Sequence, residues 1–314
     1  MTALLIAATG GHLAQLDRLS PRIPGVDDDS VWVTFDSPQS RSLLKDRNHL
    51  FVSYSGPRDL PTAIKNSSSA ARIIRRVKPD LLVSTGSAIA VSFLPVGRLF
   101  GLPALYIESA ARAHGPSLTG SILQHVPGIQ LFTQYRSWAG GPWRYAGSVF
   151  DDYVPVVSRQ RMEIRQVLVT LGTIRFGFRR LLEHLVRILP PEWNVVWQVG
   201  STASDGLGIV TRSHMSGDEL SSELSRADLV IAHAGIGSAL GSLDAGNCPV
   251  LVPREKLHGE HIDDHQSQIA RELDARGLAV HRPLADLTAD HLMLAASRGV
   301  NRREAPRSLN LSPR

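Results

Sequence analysis

The chain reads as short, continuous apolar runs separated by stretches with helical spacing. A first series is "ALLIAA" (3–8), "SVWVTF" (30–35), "HLFVSY" (49–54), "DLLVST" (80–85), "PALYIE" (103–108) and "GIQLFTQ" (128–134). A second is "QVLVTLG" (166–172), "WNVVWQVG" (193–200), "DLVIAHAG" (228–235), "PVLVPR" (249–254) and "GLAVHR" (277–282). Strands apolar on both faces belong to parallel sheets covered on both sides by helices. Their alternation with helical segments predicts an α/β protein of two Rossmann-like domains, with parallel sheets facing a cleft. The polar stretch "GSVFDDYVPVVSRQRMEIR" (147–165) lacks a helical apolar period and reads as the linker. The expected divisions are a first domain over 1–155, a second over 156–300, and a basic tail over 301–314 that is frayed or loosely docked.

The most apolar window, "AIAVSFLPVGRLFGLPALYI" (88–107), is about long enough to cross a bilayer. Pro95, Arg98, Gly101 and Pro103 interrupt it, so it reads as a helix followed by a buried strand.

Composition narrows the function classes. A length of 314 residues suits two domains at roughly 100–200 residues each. A net charge of +5 favours an anionic partner, whether a nucleotide, a nucleic acid or a membrane face. No aromatic-studded basic strand or recognition helix supports nucleic acid. Cys248 is the only cysteine, so no intramolecular disulfide can form, and "MTALLIAATGG" lacks the basic start of a signal peptide. Both point to the cytoplasm.

The chemistry concentrates at strand ends. In "DLVIAHAGIGSALGSLDAG" (228–246) a strand stops at His233, passes Gly235 and Gly237, and restarts as a helix at Ser238. A helix N-terminus carries unpaired N–H groups and partial positive charge, and glycine lets that backbone close on a phosphate. His233 reads either as a phosphate donor or as a histidine tied to nearby backbone. In "PREKLHGEHIDDHQSQIA" (253–270), Asp264, His265 and Gln266 stand at a helix start. Asp264 reads as an N-cap or, with Gln266, as a partner for sugar hydroxyls. His258, His261 and His265 with Glu255, Glu260 and Asp263 match no zinc spacing, so no metal and no cofactor is expected. In "AATGGHLAQL" (7–16), Gly10 and Gly11 precede His12 at a helix start, without the dinucleotide Gly-x-Gly-x-x-Gly. His12 reads as a general base or as a residue that packs the loop. Gly86 in "STGSAIAV" and Glu108 in "YIESAARAHGPSLTG" occupy similar positions, and Glu108 alternatively pairs with Arg112. The basic run "ARIIRRVKPD", with Arg72, Arg75, Arg76 and Lys78, reads as a solvated face or as a face for anionic lipid.

The segment "IAHAGIGSALGSLDAGNCPVLVPREKLHGEHIDDHQSQIARELDARG" resembles the donor-binding half of the glycosyltransferase family 28 group, and "ATGGHLAQL" resembles its N-terminal glycine loop. "DLLVSTGSAIAV" and "YIESAARAHGPSLTGSIL" resemble the acceptor-side subunit of the split dolichol-pathway N-acetylglucosaminyltransferase. The whole is similar to a fused bacterial exopolysaccharide pair of the PssD/PssE type. The resemblance spans most of 3–280 and implies a GT-B fold. It also implies inverting, metal-independent transfer from a UDP-sugar to a lipid-linked acceptor, at the inner membrane face or beside a membrane partner protein. It assigns donor contacts to Gly172, Thr173, His233, Gly235, Gly237, Ser238, Asp264, His265 and Gln266, with helix N-termini expected at Gly172–Thr173 and Gly235–Ser238 to hold the diphosphate. It makes His12 the base and puts Gly10, Gly11, Gly86 and Glu108 on the acceptor side. One departure stands out: a ribose-binding glutamate of the family falls at Gly241, leaving Asp244 or backbone for that task. A transferase acting on a soluble natural product and a non-catalytic nucleotide-sugar-binding subunit are the alternative readings.

Overall fold

The computed structural model describes residues 1–56, 60–157, 163–262, 264–305 and 307–311, with backbone alone at 60, 61, 63 and 64. The chain forms two compact units, Met1–Asp151 with Pro306–Arg314, and Asp152–Ala305.

The first unit holds a sheet of β1 (Ala3–Ala7), β2 (Val31–Phe35), β3 (His49–Val52), β4 (Leu81–Gly86), β5 (Ala104–Ile107), β6 (Ile129–Thr133) and β7 (Trp143–Tyr145). Every pair is parallel, in the order β3-β2-β1-β4-β5-β6-β7. Helices α1 (Gly11–Leu19), α2 (Pro38–Leu43), α3 (Leu60–Val77), α4 (Ala88–Leu99) and α5 (Leu118–Leu123) connect the strands. β1 and β4 are buried along their whole length, as strands covered on both faces must be. Leu4, Ile6, Val33, Leu82, Phe93 and Tyr106 pack in one core. The strand order reverses between β1 and β4, and the carboxyl ends of such strands are where open α/β sheets bind ligands.

The second unit opens with β8 (Tyr153–Val156). Its parallel sheet comprises β9 (Gln166–Thr170), β10 (Asn194–Gln198), β11 (Thr211–Arg212), β12 (Leu229–His233), β13 (Val250–Val252) and β14 (Val280–His281), and β15 (Gly299–Arg302) follows. The order β11-β10-β9-β12-β13-β14 repeats the logic of the first sheet, reversing between β9 and β12. The helices are α6 (Arg179–Ile188), α7 (Gly217–Arg226), α8 (Ile236–Asp244), α9 (His265–Ala275) and α10 (Ala289–Ala296).

All eleven expected strands are present, trimmed at their ends. Strands β7, β8, β11 and β15 were not foreseen, because two to four residues such as "WRY" or "TR" give no readable alternation. One expectation needs correction. The linker stretch contains β8, which pairs antiparallel with β15, Tyr153 lying opposite Arg302; its residues 158–162 lie outside the described residues. Of the tail, expected to be frayed or loosely docked, residues 307–311 are docked. Leu309 is buried, its N–H donates to Arg22 O (2.9 Å), and Asn310 N–H donates to Ala146 O (2.9 Å). Buried Arg22 completes the seam with Nε to Arg307 O (2.7 Å) and Nη1 to Ser148 O (2.7 Å). One apolar side chain and a few backbone bonds suffice to hold a segment whose average composition reads as loose.

Candidate functional site

In the first unit the residues converge at the end of β1 and β4. Gly10 caps α1 at φ +84°, ψ −139°, a conformation essentially restricted to glycine. Its N–H donates to Gln39 Oε1 (2.7 Å). The turn places half-buried His12 in the first turn of α1. On β4 the register slips between Ile6–Ser84 and Ala7–Gly86, so Thr85 is the extra residue of a bulge. Its carbonyl faces His12 Nδ1 at 2.8 Å, while its hydroxyl donates to His12 O (2.8 Å). A carbonyl can only accept, so Nδ1 carries the proton. In the neutral imidazole Nε2 then holds the lone pair. Gly86 lies at φ +118°, and a Cβ there would stand 3.1 Å from His12 Cε1 and 3.2 Å from Tyr106 Oη. Ser87, which caps α4 at φ 71°, ψ 177°, lies in a region that side-chain-bearing residues avoid. The fold thus brings Gly10, Gly11, His12 and Gly86 together.

Glu108 is different. It is 1% exposed, and its carboxylate is filled by Tyr106 Oη (3.1 Å), Ser109 N (3.0 Å), Ser117 N (2.8 Å) and Ser117 Oγ (3.0 Å). Burial raises its pKa, and the bonds from Ser117, Ser109 and Tyr106 work against that rise. The expected acceptor contact is a buried organiser of the 108–117 loop, because its oxygens are spent within the protein. Gln15 ties the same loop to α1: its Nε2 donates to Gly11 O (3.0 Å) and Ser109 Oγ (2.9 Å), and Ala110 N donates to its Oε1 (2.7 Å).

In the second unit the corresponding reversal lies between β9 and β12. His233 ends β12, buried, with Nδ1 facing Thr170 O at a long 3.4 Å. Burial, then the nearby charge of Arg254, lower its pKa from 6.5 to about 3, so the ring is neutral at physiological pH. Gly172 and Gly235 both pack on this ring. A Cβ on Gly172 would lie 2.6 Å from His233 Cε1, and one on Gly235 would overlap Nε2. Two of the expected phosphate glycines therefore also make room for the histidine. Gly235 caps α8, and Gly237 and Ser238 form its first turn, where N–H groups have no intrahelical partner. The expectation of a second helix start at Gly172–Thr173 is overturned: α6 begins at Arg179, and 171–178 is an irregular loop with Thr173 exposed.

The "DDHQ" segment is built into this unit. Gln266 is buried, and its Oε1 accepts from Arg254 N (3.0 Å). Asp264 sits at the N-cap of α9 without capping it; its Oδ1 instead accepts from Lys256 N (2.9 Å) and closes the 256–264 loop. His265 stacks edge-on with His261 at 4.7 Å between centroids, and His261 reaches Phe176 of the glycine loop at 6.0 Å. Glu260 is buried and holds Arg180 in a two-pronged bond (2.8 and 2.9 Å). Among the described residues no group of three or more His, Cys, Asp or Glu side chains could hold a metal ion; Asp263 lies outside them. Asp244, considered for ribose, is bonded by Tyr153 Oη at 2.5 Å and lies 3.7 Å from Arg302. Its position at the far end of α8 commits it to the β8–β15 pair. At Gly241 a Cβ would stand 3.2 Å from Leu224 Cδ1 of α7.

Two important residues escaped the sequence reading. Arg254 is fully buried, its guanidinium bonding Leu171 O (2.6 Å) and Phe176 O. Gln198, inside an apolar strand, exchanges bonds with the Gly172 peptide: Nε2 to Gly172 O (2.9 Å) and Gly172 N to Oε1 (3.2 Å). A polar residue within an apolar run was the available signal for Gln198. Arg254 gave none, since Glu255 and Glu260 offered it ordinary surface partners.

Residues 167–303 match the glycosyltransferase family 28 C-terminal domain. The chain is 28% identical over 243 residues to a UDP-N-acetylglucosamine--N-acetylmuramyl-(pentapeptide) pyrophosphoryl-undecaprenol N-acetylglucosamine transferase of Salinibacter ruber, covering 69% of this chain and 62% of that one. Over 56 residues it is 52% identical to the UDP-N-acetylglucosamine transferase subunit ALG13 of Yarrowia lipolytica, covering 18% of this chain and 26% of the relative. The chain thus spans less than two thirds of the length of either protein. Its structure is similar to that of Acinetobacter baumannii MurG, with a TM-score of 0.58 and 18% identity, covering 94% of this chain and 92% of that one. Residues 167–303 thus carry the match to the glycosyltransferase family 28 C-terminal domain, and the chain as a whole is similar to family 28 proteins, with the GT-B fold.

Proposed function

We propose that the protein is an inverting glycosyltransferase, moving a sugar from a UDP-sugar to a lipid-linked acceptor in bacterial polysaccharide or glycolipid synthesis. The observation that carries this reading is a pairing in one chain. A match to the family 28 C-terminal domain at 167–303 accompanies a first unit that sets His12 at its sheet reversal, with Nδ1 on Thr85 O. In this reading the acceptor hydroxyl attacks the anomeric carbon from the face opposite UDP. Its proton passes to His12 Nε2 as the bond from that carbon to the diphosphate breaks, leaving the electron pair on UDP. The N–H groups of the 171–178 loop and of the first turn of α8, backed by Arg254, meet the developing negative charge without a divalent cation or cofactor. Neutral His233 packs and hydrogen-bonds; it adds no full charge. Asp264, His265 and Gln266 flank the sugar.

The lipid-linked acceptor draws support from the activity of the Salinibacter relative and from one face of the first unit. Arg72, Arg75, Arg76 and Lys78 are exposed on or just beyond α3, close to exposed Leu99 and Phe100, and Arg75 stacks over the Phe100 ring at 5.4 Å. Cations beside apolar side chains suit an anionic membrane surface, at about 1 kcal/mol per charge. None of the described helices is long and apolar enough to cross a membrane, so the proposed association is peripheral, on the cytoplasmic face. Release of UDP from a panel of UDP-sugars, with a polyprenyl-diphosphate sugar as acceptor and EDTA present, tests the reaction. Turnover that depends on acceptor and resists EDTA is expected; turnover abolished by EDTA and restored by magnesium or manganese would overturn the metal-free part. Co-sedimentation with anionic vesicles separates a lipid-linked from a soluble acceptor.

A further inference from the structure

The loop after β9 starts no helix, so whatever makes it receive an anion must come from elsewhere. Its carbonyls are tied down from behind. Leu171 O and Phe176 O accept from Arg254, Gly172 O accepts from Gln198 Nε2 (2.9 Å), and Ile174 O accepts from Ser201 Oγ (2.8 Å). Across a planar trans peptide the carbonyl and the following N–H point in opposite directions. Fixing the carbonyls of Gly172, Ile174 and Phe176 therefore turns the N–H groups of Thr173, Arg175 and Gly177 the other way. Among the described residues, none of the N–H groups from Thr173 to Gly177 donates to another protein atom. N–H groups that share a direction and have no protein acceptor can receive an anion.

Arg254 is the part of this clamp that grips both ends. Its own N–H is held by Gln266 Oε1 (3.0 Å), which joins the loop to the start of α9. It has no ion-pair partner among the described residues: the nearby carboxylate Glu260 is committed to Arg180 (2.8 Å), and Arg254 Nε is buried without a hydrogen bond. A cation left this way is costly unless the site draws on its geometry or its charge.

We infer that Arg254 is a positioning residue for the donor: it shapes the 171–177 loop into a diphosphate receptor by binding the Leu171 and Phe176 carbonyls. This rests on the proposed UDP-sugar reading and adds to it a residue that acts through the loop and not by touching the donor. Lysine keeps the charge but cannot span two carbonyls as the guanidinium fork does.

The test compares UDP with uridine by titration calorimetry on the full chain. In Arg254→Lys the affinity for UDP falls about ten- to a hundredfold, the worth of hydrogen bonds to a charged group, while uridine binding changes less than about threefold. Ser201→Ala, at an exposed position, lowers the UDP-to-uridine affinity ratio several-fold in the same direction. An unchanged ratio in a folded Arg254→Lys protein overturns the inference while leaving the transferase reading intact. If Arg254→Lys fails to fold, an unchanged ratio in Ser201→Ala does the same. Unaltered protein that binds UDP no better than uridine overturns the underlying reading and this inference with it.

Discussion

His12 and His233 each stand within two residues of a glycine, beside the reversal of a parallel sheet, His12 in the first turn of a helix and His233 at the end of a strand. In sequence the two turns are near mirror images: glycines then histidine after β1, histidine then glycines after β12. That order decides their chemistry. A histidine following the glycines is carried onto the helix, half-buried, with one ring nitrogen fixed by Thr85 O. A histidine preceding them is still part of the sheet, buried and held neutral, and the glycines close over its ring. One turn carries the proposed base; the other keeps its histidine neutral.

The largest expected contrast is catalytic. His12→Ala should lower turnover by roughly 10²–10⁴ with little effect on UDP affinity, as loss of a general base does. A turnover within a few-fold of the original would remove His12 from that role. The next contrast is pH dependence of stability. The folded pKa of His233 lies below its unfolded value, so the unfolded chain takes up the proton first as pH falls. Its stabilising contribution is complete above about pH 6.5 and is lost between there and about pH 3, by up to roughly 5 kcal/mol. Urea unfolding at stepped pH should show a shallower acid loss in His233→Gln than in the unaltered protein; parallel curves would mean that His233 is protonated in the fold.

A third comparison sets the two glycines against each other. Gly235→Ala should cost about 1–3 kcal/mol by crowding the His233 ring, and most of that cost should vanish in a His233→Ala background. Gly10→Ala is strained by its backbone alone, since nothing lies within 4 Å of a Cβ there, so replacing His12 should not relieve it. Additive double mutants at 233 and 235 would refute the packing account. The smallest effect concerns Ser87. Relief of its backbone strain should make Ser87→Gly about 1 kcal/mol more stable in thermal unfolding, after the entropic cost of glycine is set against the gain. A loss of stability would show that the serine side chain outweighs the strain.

Much of the fold was legible because its signals are local. Strands covered on both faces are written as unbroken apolar runs, and glycine turns mark their ends, so "ALLIAA" and "DLVIAHAG" could be placed by inspection. The candidate site was legible only in part. Gly10, Gly11, His12 and Gly86 do meet, as do Gly172, His233 and Gly235. Glu108, Asp244 and the supposed helix start at Gly172 read alike in sequence and turned out otherwise. What decides each is a partner outside the motif that was read: Ser117 for Glu108, Tyr153 for Asp244, and Arg254 for the loop.

The order of residues by itself determined two doubly wound units, the turns at their reversals and the two histidines beside them, since periodicity and backbone freedom act over a few residues. Only the tertiary structure decided which histidine is half-buried on a helix and which is buried at a strand end, which carboxylates are spent on the protein, and that a buried guanidinium braces a loop about eighty residues away in sequence. Those outcomes depend on burial and on hydrogen bonds between distant segments, which fix a side chain's chemistry after the fold has chosen its neighbours.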